Sequence, residues 1–254
     1  MGHDLTRGLK LAFIDMSGTT FQDNGLMERA FIRTVQDLGV DTGSLRFAGM
    51  LAYLRDTLGQ SKVRVFQQLF QGDPATAIRA THEFERQLDE LLSAEGVQPV
   101  EGAAESIERL HKAGLKVCLA TGYNRHSQNM ILESLGWMGL ADLSLCPADA
   151  GRGRPYPDMI LTALLALDIG DVREVMVVGD TTADMQAGTR AGAGLKVGVL
   201  TGAHLGPALK SAGADVVVDS IRAVPALLQL PSSHRDSGSH GSRGESVRRL
   251  AMPG

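Results

Sequence analysis

Two segments of the chain place aspartates directly after apolar runs. Asp15 follows "LAFI", whereas Asp180 follows "VMVVG" and precedes Asp184 by four positions. Each of these residues has an alternative role as a helix cap or a turn residue. If both runs are neighbouring strands of one sheet, the carboxylates face each other, which is unfavourable unless a cation neutralises them. The pattern therefore predicts a Mg²⁺ site with oxygen ligands.

Groups that suit a bound anion follow the same kind of apolar run. Gly18 allows a tight turn that brings backbone N–H groups toward an anion. Thr121 and Gly122, in "LATGYN", add a hydroxyl and an open backbone. Arg154, in "GRGRPYP", adds a rigid guanidinium fork. We expect these groups on the same rim as the aspartates, although a threonine after a strand can be a cap and a loop arginine can be solvated.

The elements that position these groups are six short β-rich apolar runs, each followed by a helical pattern. Such βα units predict an α/β fold with a doubly wound parallel sheet. Ligands of these sheets bind outside the carboxyl ends of the strands, which is where Asp15, Thr121 and Asp180 fall. The predicted strands are residues 9–15, 115–120, 142–146, 174–179, 195–199 and 215–218.

After the first predicted strand the pattern becomes helical. Over residues 22–98 apolar side chains recur at intervals of three and four, which predicts an inserted helical cap over the rim of the sheet. Residues 9–21 and 99–230 are then the core. Residues 231–254 are rich in Ser, Gly and Arg and lack apolar periodicity, so we predict a disordered tail there.

Composition restricts the classes of function. The net charge of −4 offers no broad basic field for nucleic acid. No apolar run approaches the roughly 18 residues of a membrane span. The chain begins without the apolar segment of a secretory signal, and we interpret its two cysteines as reduced thiols. We therefore expect a cytoplasmic protein, monomeric or homodimeric, whose partner is a small molecule rather than a nucleic acid or a membrane.

Four motifs, taken in order, resemble those of the haloacid dehalogenase superfamily of phosphoryl-transfer hydrolases: "DMSGTT", the strand-end Thr121, the basic Arg154 and "GDTTAD". Each motif alone is weak, but the ordered set is specific, and the resemblance covers residues 9 to about 230. Within the superfamily, "ATGYNR", "GRGRPYPDM" and "VVGDTTADMQAGTRAGA" are similar to the phosphonatase-like branch, which includes phosphonoacetaldehyde hydrolase. The resemblance implies a Rossmann-like core with an inserted helical cap.

The resemblance also implies a role for each acidic residue. Asp15 would attack phosphorus and form an aspartyl-phosphate. Mg²⁺ would be held by Asp15, the backbone carbonyl of Ser17 and Asp180, and Asp184 would complete the metal site from behind them. The phosphoryl oxygens would be held by the remaining motif groups: Thr121, Arg154 and the backbone N–H groups around Gly18 and Thr19.

Ser17 marks a departure from the common phosphatases of the superfamily. These carry an aspartate here as general acid and base, and serine cannot replace it. In the phosphonatase-like branch a small residue is typical at this position. The best-known member of that branch uses a cap lysine that forms an imine with the substrate aldehyde, so that the carbon fragment leaves as a stabilised enamine. The resemblance thus implies that the missing carboxylate is no defect.

Lys62, in "LGQSKVRVF", falls where that cap lysine would fall, in a predicted loop before a helix. Its alternative roles are a solvated surface charge or simple substrate binding. Val65 stands where a histidine is expected, so proton transfer at the imine would need another group. Gly122 and Tyr123 are expected to contact the substrate, and Tyr123 matches an aromatic residue that lines the site in phosphonatases.

The sequence therefore predicts a Mg²⁺-dependent hydrolase that releases phosphate from a small phosphonate or phosphate metabolite. Two alternatives stay open: a phosphomonoesterase of the phosphoglycolate-phosphatase type, and a non-catalytic sensor of a phosphate metabolite. Asp15, Asp180, Asp184 and Arg154 argue against the sensor, because a binding protein has no need of a nucleophile.

Overall fold

The structure is a computed structural model that describes residues 8–230. The tail predicted at residues 231–254 lies outside this range. Within the range, the buried apolar runs form a parallel sheet, and the segments with helical periodicity form helices on both of its faces and between its first two strands.

All six predicted strands are present, shortened by up to two residues at their ends. The strands of the described chain are β1 (Leu11–Asp15), β2 (Phe21–Gln22), β3 (Gln98–Pro99), β4 (Lys116–Ala120), β5 (Leu143–Leu145), β6 (Val175–Gly179), β7 (Leu195–Val199) and β8 (Val216–Val218). The main sheet is parallel, in the order β5-β4-β1-β6-β7-β8. β1 and β6 lie at its centre and are buried at every position, as expected of strands covered on both faces.

Helices follow most strands of the sheet. Those of residues 8–230 are α1 (Leu26–Asp37), α2 (Leu45–Asp56), α3 (Lys62–Leu69), α4 (Pro74–Glu95), α5 (Ala103–Lys112), α6 (Arg125–Ser134), α7 (Pro147–Ala150), α8 (Asp158–Ala166), α9 (Thr182–Ala191), α10 (Gly206–Ser211) and α11 (Val224–Leu227). Short 3₁₀ turns at Val172–Glu174 and Ile221–Ala223 complete the set.

The side chains of β1 alternate between two apolar clusters, one on each face of the sheet. Ala12 and Ile14 belong to the cluster that includes α5 and α6, whereas Leu11 and Phe13 belong to the cluster that includes α8 and α9. This alternation is the period of a strand, with successive side chains on opposite faces. The predicted doubly wound parallel α/β fold is confirmed.

The helices α1 to α4 lie between β2 and β3, and we call residues 26–95 the helical insertion. Its centre is Phe66 of α3, whose ring stacks on Phe31 of α1 at 5.8 Å and packs against Phe84 of α4 at 5.7 Å. Such aromatic packing adds to the stabilisation from burial alone. The boundaries 22–98 of a separate cap domain stay a prediction.

The chain enters and leaves the helical insertion through one antiparallel ribbon. Phe21 of β2 lies opposite Pro99 of β3, and Gln22 lies opposite Gln98. This ribbon is not predicted from the sequence. No helix within residues 8–230 is both long and apolar enough to cross a membrane.

Candidate active site

Three carboxylates meet at the carboxyl ends of β1 and β6. Asp15 is the last residue of β1, and Asp180 directly follows β6, its parallel neighbour. Asp184 lies in the first turn of α9, where its Oδ2 accepts a 3.0 Å hydrogen bond from the backbone N–H of Thr181. Carboxylate oxygens of the three aspartates lie within 4.8 Å of one another, and all three residues are buried. The predicted cluster of acids is therefore present in the fold.

Arg154 is the cation in direct contact with this cluster. Its side chain is 2% exposed, and Nη1 donates to both Asp15 Oδ1 and Asp184 Oδ1. Burial nevertheless raises the pKa of Asp15 well above its ordinary range, although the charge of Arg154 opposes this. Burial, together with the charge of Asp184, raises the pKa of Asp180 to about 6. One guanidinium does not neutralise three carboxylates, so the site suits a bound divalent cation.

The carboxylate of Asp180 is held by hydrogen bonds and packs closely against two glycines. Oδ2 accepts a 2.7 Å hydrogen bond from Ala203 N–H, and Oδ1 accepts a 3.2 Å hydrogen bond from Thr19 Oγ1. A Cβ atom on Gly18 would lie 2.6 Å from Asp180 Oδ2, and one on Gly202 would lie 1.9 Å from the same atom. Only glycine fits at these two positions, and Gly18 also has a φ of 81°, which favours glycine.

The turn after Asp15 uses its own backbone donors. The N–H of Gly18 donates to Phe21 O at 2.8 Å, and the N–H of Thr19 donates to Met16 O at 3.2 Å. These two N–H groups are predicted from the sequence to face a bound anion, whereas here they stabilise the turn. Side-chain donors therefore become the main candidates for holding an anion.

A second carboxylate network lies beside Ser17, and its acid, Asp23, is not among the site residues predicted from the sequence. Asp23 Oδ1 accepts hydrogen bonds from Ser17 Oγ at 3.2 Å and from the hydroxyl of Tyr123 at 3.1 Å. Burial and the charge of Asp23 raise the pKa of Tyr123 well above its ordinary value, so the phenol stays a donor. In the sequence Asp23 precedes α1 in "QDNGL" and looks like a helix-capping acid, a role it partly has, since Oδ2 accepts from Met27 N–H at 3.4 Å.

The segment after β4 brings Thr121 to Tyr123 to the same rim. The hydroxyl oxygen of Thr121 accepts a 3.2 Å hydrogen bond from Tyr123 N–H. A Cβ atom on Gly122 would lie 3.1 Å from the carbonyl oxygen of Gln60, so a loop of the helical insertion comes close to the sheet at this point. Gly122 thus permits the close approach of two backbones.

Lys62 is the first residue of α3 rather than a loop residue, with Ser61 as the helix cap. The side chain is 4% exposed, and Nζ donates to Gln60 O at 3.0 Å. Burial and, next, the charge of Arg154 lower the pKa of Lys62 to about 8. Val65, the place expected for a histidine, is fully buried in the apolar core of the helical insertion, so that position offers no proton-transfer group.

One cavity of about 630 Å³ joins these groups. The predicted site residues that line it are Asp15, Ser17, Gly18, Lys62, Thr121, Gly122, Tyr123, Arg154 and Asp180. Thr19 and Asp184 lie behind it, where they bond Asp180 and Arg154. Met27, Leu54 and Leu58 of the helical insertion form an apolar part of the wall. The cavity therefore lies between the sheet rim and the helical insertion, and the insertion contributes the charged Lys62 as well as apolar side chains to its wall.

Comparison with known proteins relates this site to a family. The model of the haloacid dehalogenase-like hydrolases matches residues 9–192. The phosphonoacetaldehyde hydrolase of Bacteroides fragilis is 33% identical over 180 residues, which cover 61% of this chain and 68% of that protein. The bifunctional phosphonoacetaldehyde hydrolase/aminoethylphosphonate transaminase of Clostridioides difficile is 36% identical over 111 residues, which cover 43% of this chain and only 17% of that protein.

A solved structure extends the likeness to the fold. The phosphonoacetaldehyde hydrolase-like protein of Oleispira antarctica superposes with a TM-score of 0.75, at 22% identity, over 88% of this chain and 92% of that one. The match of the family model confirms the family resemblance seen in the sequence. The chain belongs to the haloacid dehalogenase-like hydrolases.

Proposed function

We propose that the protein releases phosphate from a small aldehyde-bearing phosphonate by cleaving its P–C bond. The observation that carries this proposal is the position of Lys62, which is buried and lines the same cavity as Asp15. A solvated surface lysine would be exposed and fully charged at neutral pH. With a pKa lowered to about 8, an appreciable fraction of the Lys62 amine is neutral near physiological pH and able to add to a carbonyl.

Asp15 is the proposed nucleophile. Its carboxylate ends a buried strand and faces the cavity, and Arg154 fixes one of its oxygens through Nη1. The other oxygen is left to attack phosphorus and form an aspartyl-phosphate, which water then hydrolyses to free phosphate. The proposal follows the chemistry of the family to which the chain belongs.

Mg²⁺ is the proposed cofactor, and the residues of the site fit it. Asp15, Asp180 and the backbone carbonyl of Ser17 would hold the ion, with Asp184 behind them. Three buried carboxylates against one contacting guanidinium leave an excess of negative charge that the cation would neutralise. When bound, the ion would supply electrostatic stabilisation to the phosphoryl group.

Arg154 and Thr121 are the proposed anchors of the phosphonate oxygens. Both line the cavity, and both are almost fully buried, where charge-assisted hydrogen bonds are strong. The Nε–H donor of Arg154 is buried without an acceptor among residues 8–230. A phosphoryl oxygen would provide the acceptor that this donor lacks, since buried donors are rarely left unpaired.

Lys62 would carry the organic half of the reaction. Its amine adds to the aldehyde carbon, and loss of water leaves a protonated imine. When Asp15 attacks phosphorus, the electron pair of the P–C bond moves into the imine and gives an enamine. Protonation of the enamine carbon and hydrolysis of the imine then release the aldehyde product and restore the amine.

This scheme accounts for Ser17. The carbon fragment leaves as a neutral enamine, so it needs no proton from the position where phosphatases carry an aspartate. The proton transfers at the imine need another group because Val65 is apolar and buried. Asp23 and Tyr123 are joined by a hydrogen bond beside Ser17 and line the cavity with Lys62, so we propose that they serve this step.

A phosphomonoesterase is the second candidate, and one observation favours it. Asp23 places a carboxylate within hydrogen-bonding distance of Ser17, close to where the superfamily's phosphatases keep their acid. The two candidates differ in what they require of Lys62, because ester hydrolysis needs only its charge.

A matched pair of substrates separates the candidates. We expect Mg²⁺-dependent phosphate release from an aldehyde-bearing phosphonate, and its loss in Lys62→Arg, because a guanidinium stays protonated and cannot form the imine. The control is the phosphate ester of the same carbon skeleton, assayed with both proteins. Faster release from the ester, with Lys62→Arg retaining activity, would establish the phosphomonoesterase instead.

A further inference from the structure

The loop that carries Arg154 runs against the start of the helix that carries Lys62. Gly153 and Ser61, the residues just before these two, are in close contact, because a Cβ atom on Gly153 would lie 3.1 Å from Ser61 Cβ. A larger side chain at position 153 would therefore be crowded against Ser61, and glycine suits this contact. The helical insertion and the core loop thus meet immediately beside Lys62 and Arg154, two of the cations that line the cavity.

A second contact lies on the other side of the same two cations. The guanidinium carbon of Arg64, two residues after Lys62, lies 4.9 Å from the ring centroid of Tyr156, two residues after Arg154. This separation is within the range of a cation–π interaction. Lys62 and Arg154 are therefore bracketed by contacts between the segments that carry them.

The ring of Tyr156 also receives two guanidinium groups from the core, Arg152 at 4.4 Å and Arg190 at 5.7 Å. Arg152 is tied to Asp158 by an ion pair, and Arg190 donates to a backbone carbonyl, so both have partners besides the ring. Arg64 makes no side-chain hydrogen bond or ion pair with any other residue of 8–230, which leaves the ring as its partner there.

The contact between Arg64 and Tyr156 offsets a repulsion between two buried cations. The ammonium of Lys62 and the guanidinium of Arg154 repel each other, and both side chains are almost fully buried, at 4% and 2% exposure. This repulsion favours separation of α3 from the loop, and the attraction of the ammonium to Asp15 and Asp23 opposes it. Arg64 and Tyr156 are not among the residues that line the cavity, so they are free to hold the two segments together without touching a substrate.

We infer that Arg64 and Tyr156 are positioning residues that dock α3 on the loop of Arg154 and thereby hold the Lys62 amine beside the phosphate-binding guanidinium. The inference rests on the proposed function for the tasks of Lys62 and Arg154. The docking of α3 on the loop exists in the protein without substrate, so it can be measured independently of the activity.

The direct test is the rate at which an amine-reactive reagent labels Lys62, measured by mass spectrometry of the digested protein. Lys62 is the one lysine of the helical insertion, and the exposed Lys112 of α5, whose side chain is 74% accessible, serves as the internal reference. In Tyr156→Leu the Lys62 to Lys112 ratio should rise about two- to fivefold, the factor that corresponds to one exposed cation–π contact. Tyr156→Leu changes no charge. Faster labelling of Lys62 would therefore report greater accessibility of its amine rather than a change in the electrostatic potential around it.

Conservative and matched variants separate docking from general loosening. Tyr156→Phe keeps the ring and should label like the wild type. Both variants remove the contact between Arg64 and the ring, so Arg64→Gln should raise the labelling ratio as well. The double variant should be no worse than Tyr156→Leu alone, because Tyr156→Leu already removes that contact. Arg46→Gln, an exposed arginine of α2, is the control and should change nothing. Since Arg64 is exposed, its variant tests the inference even if Tyr156→Leu folds poorly.

Activity provides the second arm. On a phosphonate substrate kcat/KM should fall by the same factor in Tyr156→Leu and Arg64→Gln. Unchanged labelling in both variants, or equal effects of Phe and Leu at Tyr156, would overturn the docking whatever the activity. A changed labelling ratio in a protein that cleaves no phosphonate would support the docking and reject the proposed function instead.

Discussion

The hydroxyl of Ser17 donates a 3.2 Å hydrogen bond to the carboxylate of Asp23. A negative charge therefore already lies next to the position where phosphatases of the superfamily carry an acid. An aspartate in place of Ser17 would face Asp23 at hydrogen-bonding distance, where two carboxylates repel each other. The local structure suits a small hydroxyl at this position and disfavours a second acid.

The first prediction follows from this repulsion. Ser17→Asp should give no selective gain in the hydrolysis of alkyl phosphates over aryl phosphates, because the proton of the new carboxyl group would be shared with Asp23 and would not be donated to a leaving group. Ser17→Asn is the control, because asparagine has the size of the introduced aspartate and carries no charge. A gain confined to alkyl esters, whose poor leaving groups need a proton, would favour the phosphomonoesterase.

The second prediction concerns the nucleophile. Asp15→Asn should lower kcat about a thousandfold or more on any good substrate, while far-ultraviolet circular dichroism stays unchanged, because it keeps the side-chain size and removes the attacking carboxylate. Asp56→Asn, an exposed aspartate at the end of α2, is the matched control. Residual activity above about a hundredth of the wild type would contradict covalent catalysis at Asp15.

The third prediction concerns the metal. Saturating Mg²⁺ should raise the Tm of the EDTA-treated protein by about 5 °C, as expected when a ligand binds the folded state at about a hundred times its Kd. In Asp180→Asn the shift should disappear, because a ligand of the ion is lost. Thermal unfolding of both proteins with and without Mg²⁺ measures this, and an equal shift in the two would show that the ion binds elsewhere.

The fourth prediction uses the pH dependence of stability. Lys62 has a pKa of about 8 in the folded protein and an ordinary value of 10.5. Between these values the unfolded chain binds a proton that the folded protein lacks, so the cost of burying the charge is complete below pH 8 and fades as the pH rises. Lys62→Met should therefore raise the free energy of unfolding by on the order of 2 to 3 kcal/mol at pH 7 and by roughly 1 kcal/mol at pH 9.5.

Urea unfolding in EDTA at the two pH values is the measurement for Lys62→Met. Lys112→Met, at an exposed position of α5, is the control and should show no pH-dependent gain. A gain of the same size at pH 7 and pH 9.5 would mean that burial does not lower the pKa of Lys62. Such a result would remove the main physical support for an amine that reacts near neutral pH.

The sequence was sufficient for the main sheet and for most of the site. Long buried runs such as "LAFID" and "VMVVG" have a strong strand signal, and the carboxyl ends of parallel strands meet by topology. Asp15 and Asp180 therefore could be brought together without a structure. The two-residue ribbon of β2 and β3 could not be predicted from the sequence, because so short a ladder has no periodicity to detect.

Contacts that depend on side-chain placement could not be predicted from the sequence. Asp23 follows a turn and precedes a helix, so its pattern indicates a cap, and its bond to Ser17 depends on how the turn folds back. The N–H groups of Gly18 and Thr19 show the reverse case, since the turn itself takes the donors that the motif reserves for an anion. The pairing of Arg64 with Tyr156 joins residues 92 positions apart and leaves no local signal.

Trapping of the imine tests the central claim most directly. The protein is incubated with an aldehyde-bearing phosphonate and borohydride, and the digest is analysed by mass spectrometry. We expect a reduced, covalent adduct on Lys62, loss of activity in proportion to it, and no adduct in Lys62→Arg. A protein that releases phosphate from the phosphonate at full rate in the presence of borohydride, with Lys62 unmodified, would contradict P–C cleavage through this lysine.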